Sequence, residues 1–398
     1  MRILIVGAGF AGATVARELA EAGEKVLVID KRDHIAGNAY DYVNEHGIRV
    51  HKYGPHLWHT SNDDVQKWAS RFTDWVEYKH EVEALLPNGT CVPLPINHDT
   101  IEEVFVDQFD VWADRNDQID YDAEGAMIDY KKGSHAAFLE TLVEHHPTVT
   151  NSRQHVENSV GKELCDLFFA PYTKKMWGLE LEELPASVAA RIPTNVETRS
   201  YLYFPKDKYQ FLPKDGYTEM FRRILDHENI SVQLNCSRDE VQKKEEFKHI
   251  FTSEPIDMYF DCSLGELPWR SVKMNTYSVP LPRVLSTSVL NFTHSGPHTR
   301  VTEWKNLPSH GDNPHWTTLT VEEPCDYRDN SLERYYPVKT TEKDCPHRAL
   351  YNRYVDMAEN KRGVTFIGRC GTFQYLDMWA VIIQSLRTAG KFLAEHNQ

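Results

Sequence analysis

The sequence predicts an α/β protein whose central parallel sheet is assembled from stretches far apart in the chain. Three observations point there. The first thirty residues alternate a buried strand, a glycine-rich turn, an amphipathic helix and a second buried strand. A further buried strand and a long helix stand at the other end, Val364 to Gly368 and Asp377 to Leu393. The segments between them carry helical or aromatic patterns that suit neither, and so read as insertions.

Taken in order, Arg2 to Val6 is an apolar run that reads as a buried strand. Gly7-Ala8-Gly9-Phe10-Ala11-Gly12 is a tight turn, and Ala13 to Ala22 is a helix with Val15, Ala16 and Leu19 on one face. Gly23 ends it, and Lys25 to Ile29 forms the second strand, closed by Asp30. From about Thr100 to Leu184 the pattern is helical, with an exit at Pro185. Arg191 to Pro213 is rich in aromatics and prolines and reads as strands and loops. Ile256 to Arg300 reads as short strands separated by turns.

The glycine turn sits where dinucleotide chemistry requires it. Gly7 permits the turn, Gly9 admits a pyrophosphate to the backbone, and Gly12 lets helix and strand pack closely. The helix N-terminus faces the phosphates, and Asp30 stands where a carboxylate accepts ribose hydroxyls. A second glycine turn, Gly37-Asn38, follows this acid, which selects FAD over NAD. The helix beginning near Asp377, after Gly368-Arg369, can aim its positive end at a flavin and favour its anionic reduced form. The candidate cofactor contacts are Gly7, Gly9, Phe10, Ala11, Gly12, Asp30, Lys31, Gly37, Asn38, His56, Leu57, Gly368, Arg369, Asp377 and Met378.

The formal charge of −15 argues against nucleic acid and anionic membranes as partners. A bound anion would need a local positive site, and Arg191 and Arg300 are candidate phosphate clamps. Seven scattered cysteines without a C-x-x-C pair indicate a reducing, cytoplasmic setting. No run is long enough to span a membrane, and Ile3 to Val6 is too short for a signal segment. The histidines of His51 to His59 lack metal-ligand support, so no metal is expected. His56 is better placed beside a flavin, while His51 and His59 read as core histidines. Tyr172 and Trp177, beside Gly178, suit a loop that stacks on a base and closes.

Together these residues resemble the bacterial UDP-galactopyranose mutases. The matching stretches are Ile29 to His59, Pro171 to Gly178 (Y-T-x-K-x-W-G), Arg191 to Pro193 and Lys208 to Thr218 (Y-Q-x-x-P-x-x-G-Y-T). They continue through Pro255 to Ser271, Asn291 to Arg300, Tyr335 to Val338 and Gly368 to Met378. The resemblance implies a discontinuous FAD-binding Rossmann-like domain (1–55, 210–260 and 330–398). It implies an inserted helical domain with a mobile substrate loop (95–185) and a six-stranded antiparallel sheet domain (56–94, 186–209 and 261–329). It also implies an isomerase that interconverts pyranose and furanose forms of a nucleotide-diphosphate sugar without net redox change. In that reaction reduced flavin N5 attacks the anomeric carbon, and the sugar opens and recloses as a flavin iminium. An external reductant such as NAD(P)H and a homo-oligomeric state follow from the same resemblance.

The implied site roles are specific. Phe168, Tyr172, Thr173, Met176 and Trp177 would hold base and ribose, with Tyr203 and Asn291 completing the substrate contacts. Arg191 and Arg300 would neutralise the diphosphate, helped by Tyr335, Tyr336 and Tyr375, with His56 and Asp377 near flavin and sugar. Departures fall at the substrate: Met176 replaces the usual Gln, and Arg199 to Phe204 belongs to a lengthened segment. They leave two kinds of substrate open: UDP-galactose, or a related UDP or dTDP sugar such as a 6-deoxy or N-acetyl hexose. Two alternatives stay open: an FAD-dependent oxidoreductase of the amine-oxidase type, and a nucleotide-sugar-binding protein without turnover.

Overall fold

The computed structural model describes residues 2–116, 118–121, 127–131, 134–190, 192, 194–338 and 346–396. Its centre is a five-stranded parallel sheet in the order Ile230–Gln233, Val26–Ile29, Ile3–Val6, Ile250–Thr252 and Val364–Phe366. Parallel neighbours need crossovers, which is why residues so far apart in sequence meet here. The helices Phe10–Glu21 and Met378–His396 pack together on the sheet and share one apolar core with Tyr217–Leu225. The first helix starts three residues earlier than its apolar pattern suggests. Gly9 is its N-cap and Gly12 lies in its first turn, where a Cβ would collide with the Gly7 carbonyl oxygen.

The second large sheet is seven-stranded, in the order Tyr336–Pro337, Trp269–Val279, Thr317–Asp326, Arg300–Glu303, Val289–Phe292, Val82–Leu85 and Cys91–Leu94. This corrects the six-stranded antiparallel sheet that the resemblance implied, because Val289–Phe292 and Val82–Leu85 run parallel. It also corrects the short strands expected between Ile256 and Arg300. Trp269–Val279 runs unbroken for 11 residues, paired along ten rungs with Thr317–Asp326, and has no Gly or Pro to interrupt it.

The expected helical stretch holds the helices His98–Val104, Val106–Asn116, His135–Glu140, Ser152–Leu164 and Ala170–Trp177 around its own apolar core. It also contains a hairpin, Gln118–Tyr121 with Met127–Lys131, which the helical reading did not foresee. Among the described residues no helix is long and apolar enough to cross a membrane.

Candidate functional site

The glycine turns build a cradle. The helix Phe10–Glu21 begins at Gly9 with no side-chain cap, so its first N–H groups are directed at whatever lies before them. The two turns touch: a Cβ on Gly37 would lie 2.9 Å from Gly9 Cα. A Cβ on Gly368 would lie 2.7 Å from that of Ala11, so three backbone segments converge on the helix end. The Asp30 carboxylate accepts N–H bonds from Ala8 at 2.9 Å and Arg32 at 3.0 Å, one on each oxygen. Each oxygen keeps a lone pair for a ribose hydroxyl. Asn38 Oδ1 accepts from Arg32 at 2.9 Å, and Lys31 is exposed, 3.9 Å from Glu333. An extended dinucleotide such as FAD fits this arrangement.

Beside the cradle opens a cavity of about 1150 Å³. Its floor is a row of residues across the large sheet. Asn291 opposes Arg300, and Arg300 opposes Glu322, so all three project from one face. Arg300 Nε donates to Glu322 Oε1 at 2.7 Å. Burial works against the guanidinium charge, but Glu322 and the neighbouring tyrosines raise its pKa, so it stays cationic. Asn291 is buried, and its Oδ1 has no partner among the described residues. Tyr336 and Tyr375 stack with centroids 5.5 Å apart, and Trp177 meets each at 6.1 Å. Arg369 lies 4.7 Å from the Tyr375 ring centre. Burial raises the pKa of both Tyr172 and Tyr336, so these phenols are hydrogen-bond donors throughout the physiological range.

The wall nearest the cradle carries His56. Its Nδ1 lies 2.9 Å from the Gly54 carbonyl, and its backbone N–H donates to His51 Nδ1 at 3.1 Å. His51 Nε2 is 3.0 Å from His310 Nε2, and His310 Nδ1 is 2.8 Å from the Pro308 carbonyl. One assignment satisfies the chain: His51 protonated at Nε2, His310 and His56 at Nδ1. Burial, with Arg369 and Arg300 nearby, lowers the His56 pKa to about 4, so its Nε2 is an uncharged acceptor.

Of the predicted residues, the cavity brings together His56, Leu57, Tyr172, Thr173, Met176, Trp177, Tyr203, Asn291, Arg300, Tyr336, Arg369, Tyr375, Asp377 and Met378. Phe168 is absent from its lining, since it is buried in the core of the helical segment. Tyr335 is also buried away from it, edge-on to Tyr53, and its carbonyl accepts from Arg369 at 3.4 Å. Arg191 lies outside the described residues.

Two further readings are corrected. His59 is a cavity residue, stacked on Phe204 at 3.8 Å and paired with Asp207 at 2.7 Å, whereas His51 is a buried, bonded histidine. In the lengthened segment only Tyr203 and Phe204 line the cavity. Arg199 and Tyr201 turn away to bind Asp99, with Arg199 also on Glu102. Sequence reasoning missed Glu322 and His80. Glu322 is found only through its register opposite Arg300. His80 is found only because the chain folds back beside Tyr203, where burial, then Arg300 and His59, lower its pKa to about 3.

Fold and cavity together define an α/β protein of the dinucleotide-binding class with an adjoining chamber lined by arginines and aromatic rings. Residues 167–375 match the family described as UDP-galactopyranose mutase, and residues 5–72 match a NAD(P)-binding Rossmann-like domain. The chain is 34% identical over 395 residues to a probable UDP-galactopyranose mutase of Klebsiella pneumoniae, covering 98% of this chain and 94% of that one. It is 31% identical over 410 residues to the dTDP-fucopyranose mutase of Escherichia coli, with both chains covered fully. A crystal structure of reduced UDP-galactopyranose mutase superposes with a TM-score of 0.73 at 16% identity, covering 100% of this chain and 94% of the other. The chain belongs to the UDP-galactopyranose mutase family, a family of isomerases.

Proposed function

We propose that this protein is a flavin-dependent mutase that interconverts the pyranose and furanose forms of a nucleotide-diphosphate sugar without net oxidation. The observation that carries the reading is the Asn291–Arg300–Glu322 row, which places a half-buried, counter-ion-held guanidinium in the chamber with His56, Arg369 and Asp377. Reduced FAD, when bound, supplies an electron-rich N5 as nucleophile toward the anomeric carbon. The chain's residues do the rest. Arg300, with Arg191, neutralises the diphosphate both on binding and on departure. The O–H groups of Tyr336 and Tyr375 assist as donors. Tyr172 and Trp177 hold the base. The division into FAD, helical and sheet domains, an external reductant such as NAD(P)H, a homo-oligomeric state and a cytoplasmic location belong to the same proposal.

Met176 is the residue that points to a substrate other than UDP-galactose. It lines the chamber and offers no donor–acceptor pair to a base edge, but it packs well against a methyl such as that of thymine. The experiment is to incubate dithionite-reduced protein with UDP-galactofuranose and with thymidine-linked 6-deoxy furanoses and follow ring form. Ring interconversion without consumption of reductant is expected. Stoichiometric oxidation of reduced nicotinamide coupled to product formation would overturn the reading in favour of an oxidoreductase.

A further inference from the structure

The helix Ala170–Trp177 presents Tyr172, Thr173, Met176 and Trp177 to the chamber, yet Thr173 is its one buried residue. Its apolar residues Pro171, Tyr172, Met176 and Trp177 are only half-buried. Polar contacts fix its last turn in addition. Arg270, on the strand Trp269–Val279, donates Nε–H to the Met176 carbonyl and Nη2–H to the Lys175 carbonyl, both at 3.0 Å. These are carbonyls that a helix end leaves without intrahelical partners, and a cation there also complements the helix dipole. Gly178 admits the guanidinium: it ends the helix at φ +69°, and a Cβ there would stand 3.3 Å from Arg270 Nη1. A second tie leaves the same turn. Lys175 Nζ donates to the Phe292 carbonyl at 2.7 Å and the His294 carbonyl at 2.9 Å, at the end of the strand that carries Asn291.

We propose that Arg270 and Lys175 are positioning residues for nucleotide recognition. They fix the last turn of Ala170–Trp177 on the sheet that carries Asn291, Arg300 and Glu322. The rings that hold the base thereby keep one spacing from the clamp that holds the diphosphate. This rests on the functional reading above. Neither side chain acts on the reacting atoms, so their loss changes binding more than chemistry. A misplacement of about 1 Å is enough to lower complementarity by tenfold or more.

The test uses FAD-loaded Arg270→Met and Lys175→Met proteins, titrated calorimetrically with UDP and with dTDP. The expected result is a Kd about tenfold or more weaker for the diphosphate that the wild type prefers, with KM rising in parallel. The kcat should stay within about threefold, with FAD content and Tm near wild type. The double variant should lose less than the sum of the singles, because both ties act on one turn. If Arg270→Met fails to fold, Gly178→Ala takes its place, since its methyl crowds the guanidinium and strains the helix end at positive φ, and it should weaken Kd in the same direction. Variants that bind as tightly as wild type, or that lose kcat at unchanged Kd, overturn the positioning role. A wild type that binds neither diphosphate overturns the functional reading itself, and this one with it.

Discussion

At the scale of single residues, the chamber's charge balance rests on Arg300 and Glu322. The strand register sets them side by side, and the Nε contact leaves the outer nitrogens of the guanidinium for the ligand. Arg300→Ala and Arg191→Ala should each lower kcat/KM by about a hundredfold while the protein stays yellow. A charge-assisted contact contributes roughly 1.5–3 kcal/mol, and more when it also stabilises a leaving group. Steady-state kinetics beside flavin spectra check this, and near-normal rates in both variants would place the diphosphate elsewhere. Glu322→Gln keeps an acceptor for Nε and should lose less than Arg300→Ala. For Met176→Gln, the ratio of kcat/KM for uridine-linked over thymidine-linked substrate should rise by about tenfold, because the amide can hydrogen-bond a base edge but packs poorly on a methyl. An unchanged ratio would mean that the backbone reads the base.

At the scale of elements, the cofactor cradle depends on backbone segments coming closer than side chains allow. Gly12→Ala forces the first helix off its strand, and Gly37→Ala forces the two glycine turns apart. Both variants should purify with little FAD and should need added FAD to reach even partial occupancy, read as flavin absorbance per mole of protein. Full occupancy in both would show that the cofactor is held elsewhere. The cradle was legible in sequence because its parts are local: strand, turn, helix and acid lie within thirty residues, and each leaves a signature in spacing. The chamber was legible only in part. Arg300, Tyr172 and Trp177 stood out by residue type and neighbours, and the resemblance gave them roles. Glu322 lies within the strand Thr317–Asp326, among residues that look like any half-buried sheet, and only pairing with Arg300 gives it a role.

At the scale of the whole molecule, buried neutral histidines make stability depend on pH. Folding lowers the pKa of His56, His249 and His310 to about 4 and of His80 to about 3, chiefly by burial. Between those values and about 6.5 the unfolded chain binds more protons than the folded one. The stabilisation is therefore complete above pH 6.5 and is lost as pH falls toward 4, at up to about 1.4 kcal/mol per pH unit for each histidine. Burial raises the Glu254 and Asp257 pKa, which acts in the opposite direction at the acid end. The Tm should fall steadily as pH drops from about 6.5 to about 4.5. His249→Phe, at a ring packed on Phe251 and Phe392 away from the chamber, should flatten that slope without changing activity near neutrality. An unchanged slope would mean that other groups carry the dependence.

The sequence by itself determined the dinucleotide fold, its interruption by insertions, and the family, because glycine spacing and apolar periodicity act over a few residues and survive without knowledge of neighbours. It also located many of the charged and aromatic residues that line the chamber. Only the tertiary structure decided which of them face it. Phe168 and Tyr335 turned into core, His59 turned into the chamber beside Asp207, and Arg199 was drawn away by the acids at Asp99 and Glu102. In each case the outcome depends on which strand or helix packs opposite. That is set by sheet register and long-range burial, which no window of sequence contains.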